Sequence, residues 1–240
     1  MICRNLARPG ALWMILGCLL VSCGERDDAG AGKTQGLLPS GDTMGAGPAA
    51  GAISLGTNAW VNERDKAQLG WGWDGDVLTV VPGTGNLRTQ EKFGDCLLHV
   101  EFKVSADPAM DWKNDGNSGV YIQRRYEVQI LNSLGRGASD ESCGAIYTFR
   151  KPDRNASRAP GEWQTFDIAF RAPRWAAGEK VENARLSVLH NGELIHDDVA
   201  VPASTGAGKA EGPSEEPLRL QDHGSATRFR NVWIKRLDLD

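Results

Sequence analysis

The sequence has no long apolar run and no surplus of positive charge, and each of these absences argues against a class of protein. Its longest apolar segment, 11–21, is interrupted by Gly17 and Cys18, whereas a helix needs about 20 apolar residues to cross a bilayer. Lys and Arg number 27 against 31 Asp and Glu, for a net charge of −4. This balance argues against a nucleic-acid binder, which usually carries a basic surplus. The 240 residues are still 40% hydrophobic, which is enough for a folded core.

The first 22 residues have the pattern of an export signal. Arg4 and Arg8 form a positive start, the apolar segment 11–21 follows, and no acidic residue precedes Glu25. The segment ends in Leu-Val-Ser-Cys at 20–23, which resembles a bacterial lipobox. The pattern predicts a signal peptide at 1–22, a lipid anchor on Cys23 and a lipoprotein of the cell envelope. The glycine after Cys23 favours the outer membrane. The alternative is an ordinary signal with an incidental cysteine.

The next segment, 23–52, is rich in Gly and Ala and contains no Trp, Phe, Tyr or Val before Ile53. Such a composition buries too little apolar surface to order itself, and it predicts a flexible linker. We expect one folded domain over 53–240. Without residues 1–22, which hold two of the 27 basic residues, the net charge becomes 25 minus 31, or −6.

Two cysteines remain in the predicted domain, Cys96 and Cys143. In an oxidising compartment they could form a disulfide. They could equally be two separate buried thiols, because a free cysteine packs as a small hydrophobic residue. They lack the companions that a zinc site requires.

Inside the domain the apolar residues recur every second position, as in strands. In 96–104 the side chains Cys96, Leu98, Val100, Phe102 and Val104 fall on one face, and the opposite face includes His99, which we expect to be exposed. Asn191-Gly192 predicts a hairpin, with His190 and His196 on its surface. Segment 203–216 is predicted to be a surface loop. Strands are predicted at 77–81, 96–104, 119–123, 126–131, 144–149, 164–171, 184–190, 193–199, 218–222 and 229–237. No segment predicts a long amphipathic helix, so the fold class is all-β, a two-sheet antiparallel jelly-roll sandwich of the concanavalin or laminin-G type.

Two strands carry large polar side chains that need either water or a ligand. Glu127 and Gln129 share one face of 126–131, and Tyr121 and Gln123 lie in the strand before. In 218–224, Leu218 and Leu220 take one face and Gln221 and His223 the other, with Arg219. If these strands share a sheet, the polar groups converge and could bind sugar hydroxyls or move a proton. The alternative is a solvated sheet face with no ligand.

These segments resemble the 3-keto-disaccharide hydrolase family, over roughly 60–240. The resemblance implies a concanavalin-like jelly roll and an exported bacterial enzyme that acts on oxidised glycosides. It is carried by 117–135, Cys-Gly-Ala-Ile-Tyr at 143–147, Pro-Gly-Glu-Trp-Gln-Thr-Phe-Asp at 160–167, 181–184, His-Asn-Gly at 190–192, Leu-Gln-Asp-His-Gly at 220–224 and Phe-Arg-Asn-Val-Trp at 229–233.

The implied chemistry starts at a sugar ketone. A ketone at carbon 3 acidifies the proton on carbon 2, a base removes it, and the enolate expels the glycosidic oxygen from carbon 1 before water adds back. Glu127 or His223 could be the base, and Tyr121 or His223 the acid. The enolate oxygen could be stabilised by an arginine, with Arg124 as our choice over Arg125 and Arg230. The predicted substrate-binding residues are Asn117, Tyr121, Gln123, Gln129, Gln221 and Arg230.

Several alternatives stay open in the sequence. The cofactor is unknown, although a divalent cation could be held by Glu127 and His223; no compact ligand motif supports it. A double-displacement glycosidase is disfavoured, because it needs two nearby carboxyl groups and the strand offers Glu127 followed by an amide. A non-catalytic carbohydrate-binding or adhesive module could use the same fold. The sequence does not specify the aglycone, the bond configuration or the oligomeric state.

Overall fold

The computed structural model describes residues 38, 45–105, 107 and 109–239, and strands dominate them. The predicted signal segment 1–22 and the predicted lipidation site Cys23 lie outside the described residues. In the described part no helix is long and apolar enough to cross a membrane. The one helical element there is a 3-10 turn at Thr57–Ala59.

Strands are short at the start of the domain and long in its second half. In chain order they are β1 (Ile53–Ser54), β2 (Trp60–Asn62), β3 (Gly72–Asp74), β4 (Val77–Thr79), β5 (Leu87–Thr89), β6 (Cys96–Lys103), β7 (Ser118–Ile122), β8 (Tyr126–Ile130), β9 (Gln164–Arg171), β10 (Arg174–Ala176), β11 (Glu179–Glu182), β12 (Ala184–His190), β13 (Glu193–Val201), β14 (Arg219–Leu220) and β15 (Arg228–Arg236).

Two antiparallel sheets make up the domain. In the described residues the larger has eight strands in the order β13-β12-β9-β6-β15-β4-β3, with β1 paired to β15. The smaller has five, in the order β2-β5-β14-β7-β8, and β10 and β11 form a separate pair. The chain crosses repeatedly between the sheets, since β14 lies between β5 and β7 and β15 lies between β6 and β4. The predicted all-β antiparallel sandwich is confirmed.

The core is built from the inward residues of both sheets. Leu98, Val100 and Phe102 of β6 share one buried cluster with Val128 of β8 and Leu220 of β14. The alternation predicted for 96–104, 126–131 and 218–222 therefore places the apolar residues as expected. The polar residues of β8 and β14 face away from this cluster, and that outward face of the smaller sheet carries the candidate site.

The outward face of the larger sheet is also covered, so the prediction that His99 is exposed is wrong. His99 is fully buried, stacks on Trp233 with ring centroids 5.1 Å apart, and makes a 2.7 Å hydrogen bond to Asp167. Glu101 beside it is buried too, and accepts hydrogen bonds from the backbone N–H of Gly45 and from the Arg230 side chain, each at 2.6 Å.

The end of the predicted linker contributes to this cover. Besides the Gly45 contact, Asn231 donates to the carbonyl of Ala46, and Ala49 and Ala52 pack around Trp233. Burial alone would raise the pKa of Glu101, but the hydrogen bonds from Asn231, Gly45 and Arg230 outweigh it and hold the pKa below its ordinary value. Residues 45–52 therefore contact the sheet rather than only solvent.

The hairpin histidines are also buried, contrary to the prediction that they lie on the surface. His196 contacts the carbonyl of Gly144 and the guanidinium of Arg150, each at 2.8 Å, and His190 contacts the side-chain oxygen of Gln164 at 3.0 Å. The reason is that segment 144–149, predicted as a strand, instead folds in turns over the hairpin. Burial lowers the pKa of His190 to about 3 and that of His196 to about 4.

These two histidines predict a loss of stability in mild acid. Both pKa values lie below the ordinary value of 6.5, so the unfolded chain binds protons that the folded chain does not, and stability falls as pH drops below about 6.5. Each histidine should cost up to about 2 kcal/mol at pH 5. Urea unfolding between pH 8 and 5 measures this slope. In His196→Gln the slope should be shallower, and an unchanged slope would contradict the assignment.

Cys96 and Cys143 are buried free thiols, so of the two alternatives the disulfide is not formed. Cys96 begins β6 in the larger sheet, whereas the backbone N–H of Cys143 donates to Ser133 in the loop beyond β8. Burial raises the pKa of both thiols, that of Cys143 to about 12. Both side chains fill the core as small hydrophobic groups.

Candidate active site

Three neighbouring strands of the smaller sheet bring the candidate residues together. β8 pairs with β7 so that Glu127 lies opposite Tyr121, and the backbone of Gln221, just after β14, donates to the carbonyl of Gly119 in β7. A cavity of about 120 Å³ opens on this face. It is lined by Asn117, Tyr121, Glu127, Gln129, Tyr147, Ala207, Gln221 and His223.

Glu127 is a carboxylate removed from water, with only 2% of its surface exposed. Burial raises its pKa to about 7, although a hydrogen bond from Tyr121 and the charge of Arg219 act in the opposite direction. A group with this pKa exchanges a proton readily near neutral pH. The alternative of a solvated sheet face does not hold, because Gln129 is also buried, with 3% exposed.

Tyr121 is fixed by three side chains. Its hydroxyl is hydrogen-bonded to Glu127 and accepts a hydrogen bond from Gln221 Nε2 at 3.2 Å. The guanidinium of Arg219 lies over its ring, 3.7 Å from the centroid. Burial and the nearby Glu127 charge raise the pKa of Tyr121, so its hydroxyl keeps its proton and acts as a donor.

A loop from the other sheet closes the cavity. Thr205, which follows β13, accepts a hydrogen bond from the backbone N–H of Glu127 at 2.8 Å and donates its own backbone N–H to the carbonyl of Arg125 at 2.9 Å. Arg219 donates to the carbonyl of Ala207 at 3.0 Å. The segment predicted only as a surface loop therefore forms one wall of the site.

Two glycines let the backbone approach the Glu127 carboxylate. A Cβ on Gly206 would lie 1.9 Å from one carboxylate oxygen, and a Cβ on Gly119 would lie 2.5 Å from the other. Gly206 also has a φ of +55°, in the left-handed region that favours glycine. A side chain at either position would displace Glu127.

Replacing Gly206 therefore has a predictable cost. In Gly206→Ala we expect the free energy of unfolding to fall by about 1–3 kcal/mol, because the methyl group overlaps the carboxylate and the backbone conformation is strained. Chemical denaturation measures this. Gly212→Ala in the same loop is the matched control, since its nearest neighbour, in Arg125, would lie 3.6 Å away. Equal effects in the two variants would contradict the close contact.

Two polar atoms at the cavity have no partner among the described residues. The side-chain oxygens of Gln129 and Gln221 are buried and accept no hydrogen bond. A buried acceptor without a partner is costly unless water or a ligand supplies a donor. Both atoms belong to residues that line the cavity, and sugar hydroxyls are donors of the required kind.

The structure brings most of the predicted site residues to this cavity and places three elsewhere. Asn117, Tyr121, Glu127, Gln129, Gln221 and His223 line it. Arg124 is in the turn after β7, where it forms an ion pair with Glu63 at 2.7 Å. Gln123, in the same turn, donates to the carbonyl of Phe93. Arg230 is in the other sheet, paired with Glu101. The arginine beside Glu127 is Arg219 instead.

The sequence indicated no role for Arg219, Tyr147 or the Gly206–Ala207 wall. Alternation placed Arg219 on the same face as Gln221 and His223, but it did not distinguish Arg219 from the other arginines. Tyr147 comes from the 143–147 segment, whose backbone pairs with the edge of β8 through Gln129 and Glu127. Nothing in the sequence of loop 203–216 indicated a role in the site, because Gly and Ala are equally common in loops that make no contacts.

The predicted metal pair, Glu127 and His223, does line one cavity. Within the described residues, however, no three His, Cys, Asp or Glu side chains form a group that could hold a metal ion. Protein metal sites generally use three or more such ligands. The pair alone therefore falls short of such a ligand set.

Comparison with known proteins agrees with this geometry. Residues 54–235 match the family described as the 3-keto-α-glucoside-1,2-lyase-like domain. The chain belongs to this family. The match spans the whole sandwich and includes every residue that lines the cavity, and it confirms the resemblance found in the sequence.

Solved structures show the same fold. The chain is similar to a protein of Parabacteroides distasonis ATCC 8503 described as a "putative glycosyl hydrolase", with a TM-score of 0.70 and 29% identity over 78% of this chain and 84% of that one. Two further proteins of that organism with the same description have TM-scores of 0.57 and 0.53, at 20% and 23% identity, and cover 79% and 78% of this chain and 95% and 99% of theirs. No curated protein sequence matches the chain. The family and the first relative place it among carbohydrate-acting hydrolases and lyases.

Proposed function

We propose that the protein cleaves 3-keto-glycosides by elimination, with Glu127 as the base, followed by addition of water. The observation that carries this proposal is the buried Glu127 carboxylate, whose pKa of about 7 suits proton abstraction near neutral pH. The family description, which names a 1,2-lyase of 3-keto-α-glucosides, supports the same reaction. The carbohydrate substrate is thus an oxidised glycoside.

The reaction needs one carboxylate, and the cavity provides one. Among the described residues that line it, Glu127 is the only Asp or Glu. Glycosidases that work by direct displacement use two carboxyl groups on either side of the bond. Elimination needs a single base, because the ketone rather than a second carboxylate activates the sugar. This site therefore favours elimination.

Different side chains of the cavity carry out the successive steps of the proposed elimination. Glu127 removes the proton from carbon 2, and the electron pair moves towards the ketone oxygen at carbon 3. The side-chain amides of Asn117 and Gln129, which line the same cavity, donate hydrogen bonds to that oxygen in this proposal. The bond from carbon 1 to the glycosidic oxygen then breaks, and the departing oxygen takes a proton from His223. Water adds across the new double bond to give the free 3-keto sugar.

Tyr121 positions the base in this scheme. Its hydroxyl donates to Glu127 while Gln221 donates to it, so the carboxylate is held in one orientation. The charge of Arg219, which lies over the Tyr121 ring, holds the pKa of Glu127 below the value that burial alone would give. Arg124, predicted to stabilise the enolate oxygen, is paired with Glu63 instead and has no role in these steps.

The test is turnover of a 3-keto-glycoside by the purified protein. We expect release of the aglycone together with transient absorbance of the conjugated enone, and deuterium at carbon 2 of recovered substrate in heavy water. Elimination without a carbon 2 proton is impossible, so the 2-deoxy-2,2-difluoro analogue is the negative control. Saturable sugar binding without turnover would instead support a non-catalytic carbohydrate-binding module.

We also propose that the protein is exported and anchored in the cell envelope through a lipid on Cys23. The support is the sequence alone: the charged start, the apolar segment and the lipobox-like Leu-Val-Ser-Cys at 20–23. In a bacterial host, the wild type should fractionate with membranes and incorporate labelled palmitate. Cys23→Ser should do neither, whereas Cys18→Ser, just upstream, should behave as the wild type. Membrane association of Cys23→Ser would contradict the anchor.

A further inference from the structure

A second cavity adjoins the first, and His223 lines both. The second is larger, about 570 Å³, and open. Its wall comes from the loop after β2, the loop between β4 and β5 and the loop after β14. The lining residues are Glu63, Arg64, Gly83, Gly85, Asn86, Asp222, His223 and Gly224. Because His223 lies between the two cavities, a molecule larger than one ring could extend from one into the other.

The polar groups of this second cavity are held in place before any ligand arrives. Asp222 accepts hydrogen bonds from the backbone N–H groups of Gly85 and Gly224, at 2.9 and 3.1 Å. Asn86 accepts from the backbone of Asp222 at 3.0 Å and donates to Glu63 at 3.3 Å. Arg64 donates to the carbonyl of Gly83. Such fixed groups bind a ligand with little loss of side-chain entropy.

Two glycines of the second cavity have left-handed backbone conformations. Gly83 and Gly224 have φ values of +82° and +88°, and a Cβ on either would meet no atom within 4 Å. Positions 83 and 224 therefore favour glycine because of the backbone conformation and not because of close packing. At these two positions the wall is exposed backbone without a side chain.

The charges of the cavity select a neutral ligand. Glu63 is paired with Arg124 at 2.7 Å, and the other two charged side chains of the lining, Asp222 and Arg64, have opposite signs. The lining therefore has no surplus of positive charge for a phosphate or a uronate. Carboxylates accept hydrogen bonds and a guanidinium donates several in one plane. A mixture of fixed acceptors and donors without net cationic charge suits the hydroxyls of a neutral sugar or polyol.

We propose that this second cavity, the leaving-group subsite, binds a neutral sugar or polyol aglycone while the 3-keto ring lies beside Glu127. This inference rests on the proposed function. It places the glycosidic oxygen at His223, where the two cavities meet. As Glu127 takes the carbon 2 proton, the electrons of the bond from carbon 1 pass to that oxygen, which takes the His223 proton and leaves as an alcohol.

The experiment compares two substrates in one variant. Arg64 is exposed and its replacement should not disturb folding. In Arg64→Ala we expect KM for a 3-keto-disaccharide with a glucose leaving group to rise about tenfold or more, which corresponds to the lower end for a hydrogen bond to a charged group. KM for methyl 3-keto-glucoside, whose leaving group is methanol, should stay unchanged. Arg228→Ala, an exposed arginine of the other sheet, is the matched control.

A binding measurement separates this inference from the proposed function. Free glucose, titrated into the wild type and followed by NMR, should bind at millimolar concentration, and Arg64→Ala should weaken it about tenfold. Glucose 6-phosphate should bind no more tightly than glucose. If the wild type cleaves neither substrate but glucose binding depends on Arg64, the proposed reaction fails and the sugar subsite stands. Equal changes in KM for both substrates, or none for either together with no glucose binding, would overturn the subsite.

Discussion

Glu127→Gln should lower kcat/KM for a 3-keto-glycoside on the order of 10³-fold or more while the protein stays folded. The substitution keeps the shape of the side chain and its contact with Tyr121 but removes the only carboxylate among the described residues of the cavity. Loss of a positioned base typically costs about 10² to 10⁴ in rate. Initial rates of enone formation and of aglycone release measure the effect.

Two measurements distinguish the loss of a base from a loss of structure in Glu127→Gln: the stability of the variant in urea and the pH dependence of wild-type kcat/KM. Burial of the Glu127 charge is costly, so Glu127→Gln should be at least as stable as the wild type in urea. In the wild type, kcat/KM should rise tenfold for each pH unit up to about pH 7. The reason is that the raised pKa of Glu127, about 7, keeps this base protonated at lower pH. Glu193→Gln, at an exposed position, is the control. A Glu127→Gln variant with more than a tenth of wild-type activity would exclude Glu127 as the base.

His223→Ala should lower activity in a manner that depends on the leaving group. For a glycoside whose leaving group is a sugar or an alkyl alcohol, we expect kcat/KM to fall about 100-fold, since the alkoxide must be protonated as it departs. For a 4-nitrophenyl 3-keto-glucoside the loss should be less than about threefold, because nitrophenolate departs without a proton. The ratio of the two losses is the measured quantity.

The comparison of leaving groups also tests the alternative role of His223. If His223 were the base at carbon 2, both substrates would lose activity equally in His223→Ala, as we expect for Glu127→Gln. His190→Ala is not a suitable control, because His190 is fully buried in the larger sheet. His223→Gln is suitable, because it keeps a polar side chain of similar length at an exposed position but cannot donate a proton as an imidazole does. It should show the same dependence on the leaving group as His223→Ala.

The sequence predicted the long strands and the face on which the site lies. Alternation is unambiguous in 96–104, 126–131 and 218–222, because one face of each strand meets the core. It could not predict which outward faces are covered. His99 and Glu101 have the pattern of exposed residues, but residues 45–46 and Trp233 lie over them. Cover of this kind depends on segments distant in the chain, which leave no periodic signal.

The same limit applies to the candidate site. Glu127, Gln129, Tyr121 and Gln221 could be grouped because β7, β8 and β14 pair within one sheet. Arg124 was a reasonable choice from its position two residues after Ile122, but a turn with positive φ at Gln123 and Arg124 directs it to Glu63. The short strands β1 to β3, β5, β10 and β11 were not predicted, because two to four residues are too few to show alternation.

The loop that closes the cavity makes the site a late product of folding. The hydrogen bond between Glu127 and Thr205 joins residues 78 positions apart, and that between Gly85 and Asp222 joins residues 137 positions apart. Contacts so distant in sequence form slowly, because the chain must close long loops before they gain any stabilisation. A partly folded chain that lacks β14 would hold Glu127 with no cavity around it. During refolding, only molecules in which the two sheets have packed together would therefore be active. The recovery of catalytic activity should lag behind the recovery of strand structure.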